Sequence, residues 1–178
     1  MNKITICGGT ASGKTTLSNK IGKILNIPVY HLDKIFWKDN QVFASQAEGI
    51  EAVSKILQEP RWIIDGSMHR SKTFDMRIAE ADTIVFYDLP LWLTLWRQTK
   101  RYFKYYNKVR PDMGGNNKQK YPFTWKDIQF ALNSPTADQY AKILPYKETK
   151  KVIIIKSIKD ERNFLHSLKS QEQKFDKT

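Results

Sequence analysis

The chain has 178 residues, 40% hydrophobic and 27% charged, with a formal net charge of +12, an ordinary globular balance that fits one domain spanning 1–178. A single cysteine, Cys7, excludes an internal disulfide and any cysteine-rich metal site, and no apolar run approaches the ~18 residues of a membrane span. Met1 to Ile6 leads straight into an apolar run, which leaves no room for a signal peptide and makes the cytoplasm the expected compartment.

Five short β-rich runs, at 4–7, 28–31, 62–65, 83–87 and 152–155, alternate with helical patterns. That alternation predicts an α/β fold, a parallel sheet with helices on both faces. Leu17, Ile21, Ile24 and Leu25 recur on one face of a first helix over 16–25, and Asn26 suits a left-handed cap. Ser45-x-x-Glu48 is a capping box for a helix carrying Ile50, Val53 and Leu57, which Pro60 ends. A shorter helix is expected over 71–80. Pro90 suits the first turn of a long helix to about Tyr106, whose apolar residues are Trp92, Leu95, Trp96, Thr99, Phe103 and Tyr106. Residues 107–123 hold Pro111, Gly114-Gly115, Asn116-Asn117 and Pro122, and read as a loop. Thr124-x-x-Asp127 and Ser134-Pro135 open two further helices, and Ser157-x-x-Asp160 caps a last one with Phe164, Leu165 and Leu168. The polar residues 171–178 are expected to fray.

The densest chemistry lies between the first run and the first helix. Gly8, Gly9, Thr10, Ala11, Ser12, Gly13, Lys14 and Thr15 form a complete G-x-x-x-x-G-K-[ST] loop, followed by Thr16. Strand, loop, helix is the context in which that pattern cradles phosphates: the glycines admit converging backbone N–H groups, and the new helix directs its positive end at the same spot. Lys14 is then expected at the β/γ-phosphates of ATP and the Thr15 hydroxyl on Mg²⁺.

Carboxyl ends of parallel strands face the ligand crevice. Asp33, in His31-Leu32-Asp33 at the end of the second run, is placed to take a proton from an attacking hydroxyl or to orient a water on Mg²⁺. His31 reads as structural. Asp65 ends the third run as a second candidate for Mg²⁺; Gly66 lets the chain turn close to a substrate, and Arg70 is a candidate clamp for an acceptor anion. Asp88 reads as a helix cap. Arg97, Arg101, Lys104 and Lys108 follow at spacings of four, three and four, on one helix face, and with Arg110 are candidates to neutralise a transferred phosphoryl group. Residues 97–126 hold nine basic residues against one acid, Asp112, so this segment carries +8 of the +12 and calls for an anionic partner.

These residues resemble an adenylate-kinase-type P-loop kinase and, more closely, the DNA topology modulation protein family, an adenylate-kinase-related group. The resemblance runs through Ile4-x-Ile with the Gly8 to Thr15 loop, His31-Leu32-Asp33-x-x-Phe36-Trp37, Trp62-Ile63-Ile64-Asp65-Gly66, Ala81-Asp82-Thr83, Asp88-Leu89-Pro90 and Arg97-x-x-x-Arg101. It implies a three-layer P-loop NTPase fold with sheet order 2-3-1-4-5, ATP–Mg²⁺ binding, an acceptor-side insertion at about 34–60, and a basic lid at about 101–147. It also implies that Arg97 and Arg101 contact nucleotide phosphates. Three residues, rather than two including a proline, separate Asp65-Gly66 from Arg70, and the helix at 45–59 has no arginine; both weigh against an AMP-type acceptor.

The leading expectation is an ATP-dependent kinase acting on a small-molecule hydroxyl or phosphate acceptor. The alternative is an ATP-switched regulator associated with nucleic acid through the basic segment, where Tyr102, Phe103, Tyr105, Tyr106 and Trp125 are interleaved. Without an Asn-Lys-x-Asp motif, a GTPase is disfavoured.

Overall fold

The computed structural model describes residues 1–39, 42–110, 114–115, 124–132 and 136–175. Strands β1 (Lys3–Gly8), β2 (Val29–His31), β3 (Trp62–Asp65), β4 (Thr83–Tyr87) and β5 (Lys151–Ile155) form one sheet in the order β2-β3-β1-β4-β5. All four pairings are parallel. Ile6 and His31 both pair with Asp65, Gly8 pairs with Tyr87, and Tyr87 with Ile155. The carboxyl ends of all five strands therefore share one rim, with the phosphate-loop pattern leaving the central strand.

The period-2 alternation of the strands sends side chains to two cores. Ile4, Ile6, Ile63 and Val85 meet Leu17, Ile21 and Leu25 of α1 (Lys14–Leu25). Ile64, Ile84 and Phe86 meet the helices of the opposite face: α3 (Gln46–Leu57) through Val53, Ile56 and Leu57, and α4 (Lys72–Glu80) through Phe74 and Ile78. Each of these side chains is 8% exposed or less, and full burial of one contributes about 1.5–3 kcal/mol. Helices on both faces of one parallel sheet make the three layers expected of the sequence.

Local signals place the helix ends. Asn26 adopts φ 50°, and its N–H bonds to the Gly22 carbonyl. The Ser45–Glu48 capping box forms in full, and Ser71 caps α4 by accepting from the Thr73 N–H. Helices α6 (Trp125–Leu132) and α7 (Thr136–Ile143) follow α5 (Leu91–Tyr105), and α8 (Ile158–Phe175) completes the chain behind Ser157. The Ser134-Pro135 cap, Lys118, Lys120 and most of the 107–123 loop lie outside the described residues.

Three expectations are corrected. The second strand stops at His31, and Asp33 sits in a short helix, α2 (Leu32–Phe36), so Asp33 follows the strand instead of ending it. Helix α8 runs to Phe175, because Lys, Gln and Glu at 169–174 propagate a helix well. The apolar stripe of α5 does not face the core: Trp92, Trp96, Phe103 and Tyr106 are 52–74% exposed, while Leu93, Thr94 and Tyr102 are buried. The arginine side of α5 is held on the loop, and that contact sets the rotation of the helix.

Candidate active site

The loop after β1 is built on close contacts. Gly8 has φ 131°, and a Cβ there would collide with the Tyr87 backbone carbonyl, so only glycine fits where the central strand meets β4. Its amide donates to Gln139 Oε1 of α7 at 2.9 Å. Its carbonyl accepts from Ser67 Oγ at 2.5 Å and from Lys14 Nζ at 3.2 Å. Lys14 Nζ also donates to the Gly9 carbonyl at 2.6 Å and to Ser12 Oγ at 3.4 Å, so its ammonium is folded back over the loop. Burial pulls Lys14 below the usual lysine range, with Asp65 and Asp33 opposing that shift.

A cleft of about 700 Å³ opens above this loop. Residues 10–16 line it, together with Lys20, Asp33, residues 65–68, Arg97, Arg101, Tyr105 and Glu161. Gly8 and Gly9 do not line it; Gly9 borders a second hollow beside Tyr87 and Thr94. Arg97 Nη1 donates to the Ser12 carbonyl, and the position of a Cβ on Gly13 is 3.0 Å from the same nitrogen. Arg97, Arg101 and Tyr105, four residues apart, bring one face of α5 into the cleft. Arg70 is exposed and Arg110 half-buried, and neither lines it.

Asp65 is 3% exposed. Ser18 Oγ lies 2.9 Å from both Asp65 Oδ2 and the Thr15 carbonyl, joining the start of α1 to the end of β3. His31 Nδ1 is 3.1 Å from the same carboxylate oxygen. The turn after Asp65 is fixed from below by Arg77, a fully buried side chain of α4. Arg77 donates to the Gly66 carbonyl at 3.0 Å, the Ser67 carbonyl at 3.1 Å and Thr5 Oγ1 at 3.3 Å. Burial lowers its pKa to about 10, against the opposing pull of Cys7 and Asp65.

The Thr15 hydroxyl with Asp33 and Asp65 is an oxygen donor set, the kind Mg²⁺ takes from one or two carboxylates while phosphates and waters complete its shell. The described residues contain no cluster of three or more His, Cys, Asp or Glu that would hold a metal unaided. The Gly114 N–H donates to the Asp33 carbonyl at 3.2 Å. A Cβ on Gly114 would strike the Trp37 and Lys34 carbonyls.

Sequence reasoning did not find Gln139, Ser18, Ser67, Arg77, Lys20 or Glu161. Their signal is tertiary: Gln139 and Gly8 are 131 positions apart, and no local pattern joins them.

No family model and no curated protein matches the chain. Solved structures do match it. Shikimate kinase from Bacteroides thetaiotaomicron superposes with a TM-score of 0.55 at 12% identity, over 96% of this chain and 97% of that one. A gluconokinase from Sinorhizobium meliloti 1021 gives 0.56 at 10% identity, over 98% and 93%. Shikimate kinase from Acinetobacter baumannii in complex with shikimate gives 0.55 at 14% identity, over 94% and 90%. At such identities the likeness is one of architecture, and together with the five-stranded parallel sheet it gives this chain the P-loop kinase fold.

Proposed function

We propose that the protein is an ATP-dependent kinase that transfers the γ-phosphoryl group to a small-molecule acceptor in the cytoplasm. The observation that carries this is the convergence of the loop, Lys14, Asp33, Asp65, Arg97 and Arg101 on one cleft. Residues 10–16 hold the phosphates, with Lys14 leaving the Gly8 and Gly9 carbonyls for phosphate oxygens. Thr15, with Asp65 or Asp33, holds Mg²⁺, which offsets charge on the β- and γ-oxygens when bound. Asp33 accepts the acceptor's hydroxyl proton as the acceptor oxygen bonds to the γ-phosphorus. The bond from that phosphorus to the bridging oxygen breaks, and ADP leaves. Arg97 and Arg101 stabilise the charge on the transferring group. The segment at about 101–147 acts as a lid that excludes water, and the contact of Gly114 with the Asp33 carbonyl supports closure over the acceptor side. Arg70 and Arg110 act only if closure brings them inward.

An ADP-release screen over nucleosides, nucleoside monophosphates, sugars and small acids tests this, with Lys14→Ala as the blank. One class should release ADP well above the blank. Background hydrolysis alone with every acceptor would remove the transfer step.

A second reading is supported by the outward face of α5. Trp92, Trp96 and Phe103 stand exposed, and Lys100 Nζ lies 4.8 Å from the Trp96 ring centre. Aromatic faces among cations suit single-stranded nucleic acid, with ATP as a switch. Binding of an oligonucleotide tighter than about 1 μM at physiological salt, with a counterion slope, supports it. Weak binding confined to low salt sinks it.

A further inference from the structure

The sheet order lays out the cleft from edge to edge. Asp33 and Asp65 follow β2 and β3 on one side, the loop follows β1 at the centre, and α8 follows β5 on the other side. Glu161, in the first turn of α8, lines the same cleft as the loop. Parallel strands are spaced by about 4.8 Å, so three strand steps from β3 to β5 span roughly 14 Å, room for a triphosphate followed by a nucleoside. With the γ-phosphate turned toward Asp33 and Asp65, the nucleoside end is directed toward Thr16 and Lys20 of α1 and Glu161 of α8, which line the same cleft.

The Glu161 side chain is 13% exposed, whereas its partner Lys20 is 48% exposed. Glu161 Oε1 accepts from Lys20 Nζ at 2.9 Å. Burial, with the Glu161 carboxylate adding to it, pushes the Tyr87 hydroxyl above the usual tyrosine range. An ionised carboxylate has about four acceptor sites on two oxygens. The Lys20 ammonium holds it from one side and leaves capacity for a donor arriving from the cleft.

Resting on the reading of the cleft as a nucleotide site, we propose that Glu161 is a specificity-determining residue: its carboxylate accepts a hydrogen bond from a donor group of the nucleoside, and Lys20 is the positioning residue that holds it there. The chemistry it selects is an N–H on the base or an O–H on the ribose. A loss of such a bond to a charged acceptor weakens binding about ten- to a hundredfold.

Equilibrium titration with Mg-ATP, purine riboside triphosphate, 3′-deoxy-ATP and inorganic tripolyphosphate tests this in wild type, Glu161→Ala, Glu161→Gln and Lys20→Met. Wild type should prefer ATP at least about tenfold over one of the two analogues: over purine riboside triphosphate if an amine is read, over 3′-deoxy-ATP if a hydroxyl is read. Glu161→Ala should abolish that preference while binding tripolyphosphate as wild type does or tighter; Glu161→Gln, which keeps an acceptor oxygen, should restore part of it, and Lys20→Met should weaken it. A wild-type preference retained by Glu161→Ala overturns the proposal and leaves the phosphate site intact. Equal loss of ATP and tripolyphosphate in a folded Glu161→Ala also overturns it. Failure of the wild type to bind either ligand overturns both this proposal and the nucleotide reading.

Discussion

Gln139 is buried with its side-chain carbonyl on the Gly8 amide, so the glycine-rich loop is braced by α7. Gln139→Leu strands a buried N–H and should destabilise the fold by roughly 1–3 kcal/mol in urea denaturation. Gln139→Glu keeps an acceptor there and should recover most of that loss. Full stability in the leucine variant would show that the amide is satisfied in another way. Arg77 acts in the same manner on the far side of the site, holding the carbonyls of Gly66 and Ser67. Neither residue belongs to a motif. That Lys14, Thr15, Asp33 and Asp65 share one cleft was legible in the sequence, because a strand–loop–helix pattern and acids at or just past the ends of parallel strands fall on one rim. The braces were not, because a lone glutamine or arginine on an amphipathic helix carries no sign of which distant backbone it meets.

Helix α5 shows the limit of periodicity at the scale of an element. Its aromatic stripe was plain in the sequence, but a period of 3.6 says only that two faces differ. Arg97 on the Ser12 carbonyl settles which face turns inward. Single replacements of Trp92, Trp96 or Phe103 by serine should each change unfolding free energy by no more than about 0.5 kcal/mol. Losses of 3–5 kcal/mol, the range for buried aromatics, would place the stripe in the core. Helix α3 offers a pH test. Hydrogen bonds from Lys38 and the Ser45 backbone lower the Glu48 pKa from 4.5 to about 2. The folded value lies below the unfolded one, so stabilisation from this carboxylate is complete above about 4.5 and is lost as pH falls through about 2. The stability difference between wild type and Glu48→Gln should be flat at neutral pH and shrink between pH 4.5 and 2. A difference that grows on acidification would contradict the cap.

Across the whole molecule, five strands, their parallel pairing and helices on both faces followed from alternating short apolar runs and helical periods. The sheet order came from the family resemblance, and the structure has that order. The route of the cleft across the rim could not be read, because it depends on which strand ends become neighbours: Glu161 and Lys20 are 141 positions apart and face each other only once β5 sits beside β4. The central claim is that this rim binds Mg-ATP through the loop. Isothermal titration of Mg-ATP into wild type and Lys14→Ala, with the circular dichroism of both compared, tests it most directly. Saturable binding by the wild type that falls at least about a hundredfold in a folded Lys14→Ala is the predicted result, a loss near 2.7 kcal/mol. Undiminished binding in that variant, or none in the wild type, would contradict the account.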